Sequence, residues 1–320
     1  MRYGHSTSGT RGTQRLLDSG ATGARSRLRR PLTLPPCERT IAPRPGAEPR
    51  GPKATPHMTK HLILDLDGVV YNGEHPVPGA VDCIARLRRS GRVVSFCSNN
   101  STRTRGGFAA KLTSMGIPAV AGDILNSAYA AARWVSSAGL SRAFVIGESG
   151  LVEELTDLGI EVLDLQSAPS AQCIVVGLDR GLTYEKLAAA QRALAAGAEF
   201  IATNRDSHLP TETEMLPGSG TMVAAVEVLA GRPPTLLGKP EPHMLESLLS
   251  EHKTPRGEAL VVGDRLDTDI ECGNRAGVES ALVLTGFNTA EEAENAPARQ
   301  TPTHVFRDLC EVTEAALSRP

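Results

Sequence analysis

The chain has no C-x-x-C pair. Its six cysteines, Cys37, Cys83, Cys97, Cys173, Cys272 and Cys310, are scattered along the sequence. That spacing speaks against a zinc framework or a disulfide scaffold and fits buried thiols in a reducing compartment. No apolar run approaches the ~18 residues of a membrane-crossing helix, so a soluble, cytoplasmic protein without membrane contact is expected. The formal net charge of −2 gives no overall pull toward nucleic acid. No apolar segment follows the early basic residues, as a secretory signal would require.

The charge is unevenly spread. Residues 1–57 carry 11 Lys and Arg against 3 Asp and Glu, a net of +8, which leaves −10 on the rest. This stretch is rich in Arg, Pro, Gly, Ser and Thr and has no hydrophobic period, so it is expected to be a disordered basic extension. Met58-Thr-Lys-His starts naturally before the first apolar run, which makes a mis-assigned start the simpler explanation and a transit peptide the other.

From Met58 onward, short apolar runs rich in β-branched residues alternate with helical patterns. Leu62–Leu66, Val93–Phe96, Thr235–Leu237, Ala259–Val262 and Ala281–Leu284 read as strands of one sheet. Pro78–Arg89 reads as a helix with Ala80, Ile84 and Leu87 on one face and Gly91 as its stop. The pattern predicts an α/β protein with a Rossmann-like, doubly wound parallel sheet covered on both faces. Ala143–Ile146, Cys173–Gly177 and Phe200–Ala202 form a second α/β rhythm, read as an inserted α/β cap domain. The expected divisions are 58–103 for the first part of the core, 104–206 for the cap and 207–320 for the second part of the core.

Charged residues end several of these runs. Leu62-Ile-Leu-Asp-Leu-Asp-Gly-Val-Val70 places Asp65 and Asp67 at the mouth of a buried strand. Leu260-Val-Val-Gly-Asp-Arg-Leu-Asp-Thr-Asp-Ile270 repeats the pattern with Asp264, Asp267 and Asp269. Between them lie Ser98-Asn-Asn-Ser101 after a strand and Lys239 in Gly-Lys-Pro. Carboxylates in such places are costly unless a cation compensates them. Ligands in open parallel sheets sit beyond the carboxyl ends of the strands. Together these residues suggest a Mg²⁺ and phosphate site.

The chemistry they permit is specific. Asp65 is the candidate nucleophile, forming an aspartyl-phosphate. Asp65, Asp264 and the main-chain carbonyl of Asp67 can supply oxygens to Mg²⁺. The Asp67 side chain is then free to act as acid and base. Ser98 and the amides after it can bind phosphoryl oxygens, and Lys239 can neutralise their charge. Asp269 is better placed to hold Lys239 or a metal-bound water than to bind metal directly. Asp267 reads as a solvated carboxylate at a helix start. His208 reads as a surface or structural residue near the return from cap to core, and Asn204, Arg205 and Asp206 share that position. Gly218-Ser-Gly220 lacks the Lys and hydroxyl of a phosphate loop and reads as a close-packing device.

The four segments Asp65-Leu-Asp-Gly-Val69, Ser98-Asn-Asn-Ser101, Gly238-Lys-Pro240 and Gly263-Asp-Arg-Leu-Asp-Thr-Asp269 occur in an order and spacing that resembles the haloacid dehalogenase-like hydrolases. The inserted block is similar to the larger α/β cap of subfamily IIA, which includes NagD-type, phosphoglycolate, pyridoxal phosphate and p-nitrophenyl phosphatases. The resemblance runs from about Thr59 to the C-terminus. It implies that Asp65 is nucleophile and Mg²⁺ ligand, Asp67 the acid/base with its carbonyl on the metal, and Asp264 the third metal position. It implies that Ser98, Asn99, Asn100 and Lys239 bind the substrate phosphate. The expected partner is a small phosphorylated metabolite, with phosphoglycolate or glycerol 3-phosphate favoured over nucleotide and sugar phosphates, and a homodimer is expected. The competing readings are a phosphotransferase or phosphomutase of the same fold and a non-catalytic regulatory binding protein.

Overall fold

A computed structural model describes residues 59–210 and 214–318. The basic extension expected over residues 1–57 lies outside the described residues. Two parallel sheets organise the rest, as the alternating pattern predicts.

The first sheet has six strands, in the order His304–Phe306, Glu279–Val283, Ala259–Gly263, His61–Leu64, Val93–Ser98 and Ile124–Asn126. His61–Leu64 is central and fully buried, pairing with Ala259–Gly263 on one side and Val93–Ser98 on the other. Its side chains alternate between faces. Leu62 and Leu64 join a core with Ile84, Leu87, Phe96 and Phe108, while Ile63 packs on the opposite side with Met244, Leu245 and Leu248. Both faces are therefore covered, which is why the strand reads as an unbroken apolar run. The helix Ala80–Arg89 buries Ala80, Cys83, Ile84 and Leu87 against this sheet. Gly91 follows it with a φ of 81°, a left-handed turn suited to glycine.

The chain leaves the central strand toward Ile124–Asn126 and later returns to fill the other half, starting at Ala259. The order of strands reverses between His61–Leu64 and Ala259–Gly263. The crevice beyond their carboxyl ends is the switch point where such folds bind ligands.

The second sheet has five parallel strands, in the order Thr235–Leu236, Glu199–Ala202, Cys173–Val176, Arg142–Ile146 and Glu161–Leu163. Helices Ser149–Asp157, Tyr184–Ala195 and Ser219–Ala230 accompany it. Two strands depart from the divisions expected at 104 and 206. Ile124–Asn126 is an edge of the first sheet, pairing with Val93–Ser98. Thr235–Leu236, expected in the first sheet, pairs with Glu199–Ala202 in the second. An apolar run of two or three residues signals a strand but not which sheet will accept it. Among the described residues no helix is long and apolar enough to cross a membrane.

Candidate active site

Asp65 and Asp264 each follow one of the two strands at the switch point. The main chain there is still in register, with the Asp65 N–H donating to Val262 O at 2.8 Å. The two carboxylates thus emerge side by side from buried backbone. A π-helical turn at Leu266–Ile270 brings Asp269 back toward them. The Asp269 carboxylate accepts the Arg265 N–H at 3.2 Å and is only 1 % exposed. Gly263 makes this approach possible, because a Cβ there would stand 2.1 Å from that of Asp269.

Lys239 arrives from the end of the second sheet. Its ammonium donates to Asp65 Oδ1 at 2.7 Å, Asp269 Oδ1 at 2.6 Å and the Cys97 carbonyl at 2.8 Å. The Asn99 carboxamide fixes the main chain of this lysine, accepting its N–H at 2.8 Å and donating to its carbonyl at 2.9 Å. Asn99 also donates to Asp206 Oδ1 at 3.0 Å. Its side chain is committed to positioning Lys239.

Ionisation follows burial and charge. Burial pushes the Asp65 carboxyl well above the usual carboxylate range; Lys239 opposes this, and Asp269 and Asp264 add to it. Asp264 is pushed up to about 7 by burial and then by the charge of Asp269. Asp67 is raised by burial, with Lys111 opposing. Burial pulls the Lys239 ammonium down, but the Asp269 and Asp65 carboxylates outweigh it and hold it protonated. One ammonium faces three closely set carboxyl groups, so with all three ionised the site would carry an excess of negative charge.

That excess is what a hard cation would relieve. Carboxylate oxygens of Asp65, Asp264 and Asp269 lie within 4.8 Å of one another. Asp264 is held tightly: its Oδ2 accepts the Phe287 N–H at 2.8 Å. A Cβ at Gly68 would stand 2.3 Å from Asp264 Oδ2, and one at Gly286 2.0 Å. Two glycines thus cradle this carboxylate. Oxygen donors gathered around unbalanced charge fit a magnesium-sized ion. Asp269 accepts on both oxygens, from Lys239 and from the Arg265 N–H, whereas Asp65 and Asp264 each accept on one, which makes their side chains the freer donors.

Of the eight residues given a catalytic, metal-binding, phosphate-binding or supporting role from the sequence, seven line one cavity of about 540 Å³: Asp65, Asp67, Ser98, Asn99, Asn100, Lys239 and Asp264. Asp269 stands behind Lys239, outside the lining. The Ser98 hydroxyl accepts the Asn100 N–H at 3.1 Å. The Asn100 side-chain carbonyl accepts from Thr102, N–H at 2.9 Å and hydroxyl at 2.8 Å, which shapes the loop. Asp267 pairs with Arg265 at 3.1 Å and faces solvent. His208 is exposed, bonds the Ser207 hydroxyl and borders the cavity. Gly218 and Gly220 pack where a Cβ would meet the carbonyls of Asp206 and Arg205, so this segment is a close-packing device. Sequence reasoning missed Phe287 and Gly286, which act through main chain and absence of a side chain. It also missed the tie from Asp206 to Asn99, although Thr203-Asn-Arg-Asp206 had marked the region.

The fold and site define a Rossmann-like α/β protein with acidic strand ends at its switch point. A haloacid dehalogenase-like hydrolase family model matches residues 62–161, and a HAD-hydrolase-like one matches residues 236–312. An acid sugar phosphatase of Staphylococcus saprophyticus is 37% identical over 255 residues, covering 79% of this chain and 96% of that protein. A D-glycerol 3-phosphate phosphatase of Mycobacterium tuberculosis is 39% identical, covering 78% of this chain and 69% of that one. A crystal structure of the glycerol phosphate phosphatase of M. tuberculosis in complex with magnesium superposes with a TM-score of 0.73 at 35% identity, covering 80% of this chain and 77% of that one. The chain belongs to the haloacid dehalogenase-like hydrolases, in subfamily IIA.

Proposed function

We propose that this protein is a Mg²⁺-dependent phosphatase that hydrolyses small phosphomonoesters through an aspartyl-phosphate on Asp65. The observation that carries the reading is the convergence of Asp65, Asp264 and Lys239 on one cavity at the switch point, with Asp269 behind them holding Lys239. Relatives named acid sugar phosphatase and D-glycerol 3-phosphate phosphatase support the class.

Asp65 and Asp264 would hold the metal through carboxylate oxygens, with the Asp67 carbonyl as a further donor. When bound, Mg²⁺ supplies charge neutralisation between a carboxylate and a phosphate dianion. The Asp65 carboxylate attacks phosphorus and the alcohol leaves. Asp67, kept protonated more readily by burial, gives its proton to the departing oxygen. The same carboxylate then takes a proton from the water that hydrolyses the acyl-phosphate. Lys239, held by Asp269, offsets the phosphoryl charge throughout. The loop after Ser98 offers N–H groups to the phosphoryl oxygens.

The second sheet and its helices act, in this reading, as a cap over the crevice. Leu178, His208, Leu209 and Met215 border the same cavity and would choose the organic part of the substrate. A short polyol or hydroxy-acid phosphate, glycerol 3-phosphate or phosphoglycolate, suits this reading best. The cytoplasm is the proposed compartment. Phosphate release from a panel of such esters, with and without Mg²⁺, tests the proposal; activity that survives removal of divalent ions would contradict it.

A further inference from the structure

The Sγ atoms of Cys83 and Cys310 are 2.7 Å apart, although 227 residues separate them in sequence. Cys83 lies in the helix Ala80–Arg89 and is 3 % exposed. Cys310 lies in the C-terminal helix Leu309–Ser318 and is half-buried. Gly79 leaves the room: a Cβ there would stand 2.6 Å from Cys310 Sγ. Beyond the sulfurs the two segments are tied again. Arg86 pairs with Glu314 at 2.6 Å, and Arg92 donates to the Ala316 carbonyl at 2.5 Å. Neither cysteine lines the active-site cavity. Both are free thiols in this structure, and buried thiols are inert unless a partner is in reach.

We propose that Cys83 and Cys310 are a reversible disulfide site that fastens the C-terminal helix to the first sheet under oxidising conditions. The oxidant is a low-molecular-weight disulfide. The more exposed Cys310 loses its proton and attacks one sulfur of that disulfide, forming a mixed disulfide and releasing the first small thiolate. Cys83 then loses its proton and attacks the Cys310 sulfur, closing the protein disulfide and releasing the second small thiolate. The two protons end on the two small thiols, and the two electrons taken from the protein sulfurs reduce the oxidant. Burial pushes the Cys83 thiol up to about 12, so it is a poor first nucleophile and suits the second step, where the target sulfur is held against it. A cross-link across so long a loop constrains the unfolded chain strongly. It raises stability and leaves the active site untouched.

The test uses the full chain and its Cys37→Ser variant, each incubated with glutathione disulfide and then mapped by mass spectrometry without reduction. The expected product is one cross-linked peptide pair joining Cys83 to Cys310, two hydrogens lighter than the reduced pair. Tm should rise on oxidation and fall back with dithiothreitol, while kcat/KM is unchanged. Cys83→Ser should show no oxidation-dependent rise in Tm and should accumulate glutathione on Cys310. A glutathione adduct that persists on Cys310 in the unaltered chain would overturn the proposal. So would a link from Cys310 to any other cysteine, or a Tm response equal to that of Cys83→Ser.

Discussion

Lys239 stands between Asp65 and Asp269, its ammonium 2.7 Å from the first carboxylate and 2.6 Å from the second. One cation thus touches both the proposed nucleophile and the acid after the second switch-point strand. Asp269 is the fixed point of the arrangement, being bound on its other oxygen by the Arg265 N–H.

The position of Lys239 depends on that anchor. Asp269→Asn keeps the shape but removes the charge that holds the ammonium. We expect kcat/KM to fall about 10- to 100-fold, the range seen for residues that orient a catalytic or metal-binding partner. Steady-state kinetics at saturating Mg²⁺, with circular dichroism to verify the fold, measures it. Full activity in Asp269→Asn would show that Lys239 needs no anchor.

Gly286 sets the position of Asp264. In Gly286→Ala the new methyl would fall 2.0 Å from Asp264 Oδ2, so the carboxylate must move. The concentration of Mg²⁺ needed for half-maximal activity is expected to rise, with global stability little changed. A Mg²⁺ titration of activity checks this, and an unaltered midpoint would remove Asp264 from the metal site.

Stability should fall on acidification through a group far from the chemistry. His61 is buried on the central strand, with Ser95 Oγ at 2.9 Å, Thr254 Oγ1 at 3.2 Å and the His252 ring 4.8 Å away. Burial, and then the charge of His252, lowers its pKa to about 4 from an unfolded value of 6.5. The unfolded chain therefore takes up the proton first. The stabilisation is fully present above pH 6.5 and is lost as pH falls toward 4, by about 3 kcal/mol in all. Urea unfolding between pH 7 and 4 should show this slope, and His61→Gln should flatten it. Equal slopes in the two proteins would contradict the assignment.

Much of the site was legible because its residues break the pattern around them. Asp65 and Asp264 interrupt apolar runs that must be buried, and Lys239 is a lone cation beside a strand. Their clustering follows from the topology once the strands are taken as parallel neighbours. What the sequence hid has no side-chain signature. Asp264 is gripped by the Phe287 N–H and cradled by two glycines. Asn99 looked like a ligand-binding amide but spends its side chain on Lys239 and Asp206. In the fold, Ile124–Asn126 and Glu161–Leu163 were missed: each is short and has a polar residue at one end, so neither stands out as an apolar run. Thr235–Leu236 was visible as a strand, but its sheet is decided by packing.

The most direct test is phosphate release from a panel of small phosphomonoesters, with Mg²⁺ or with EDTA, by the unaltered chain and by Asp65→Asn. The account predicts Mg²⁺-dependent release that Asp65→Asn abolishes while its fold is retained. The best substrate by kcat/KM is expected among the short polyol and hydroxy-acid phosphates. Release that persists in EDTA, or turnover undiminished in Asp65→Asn, would contradict it.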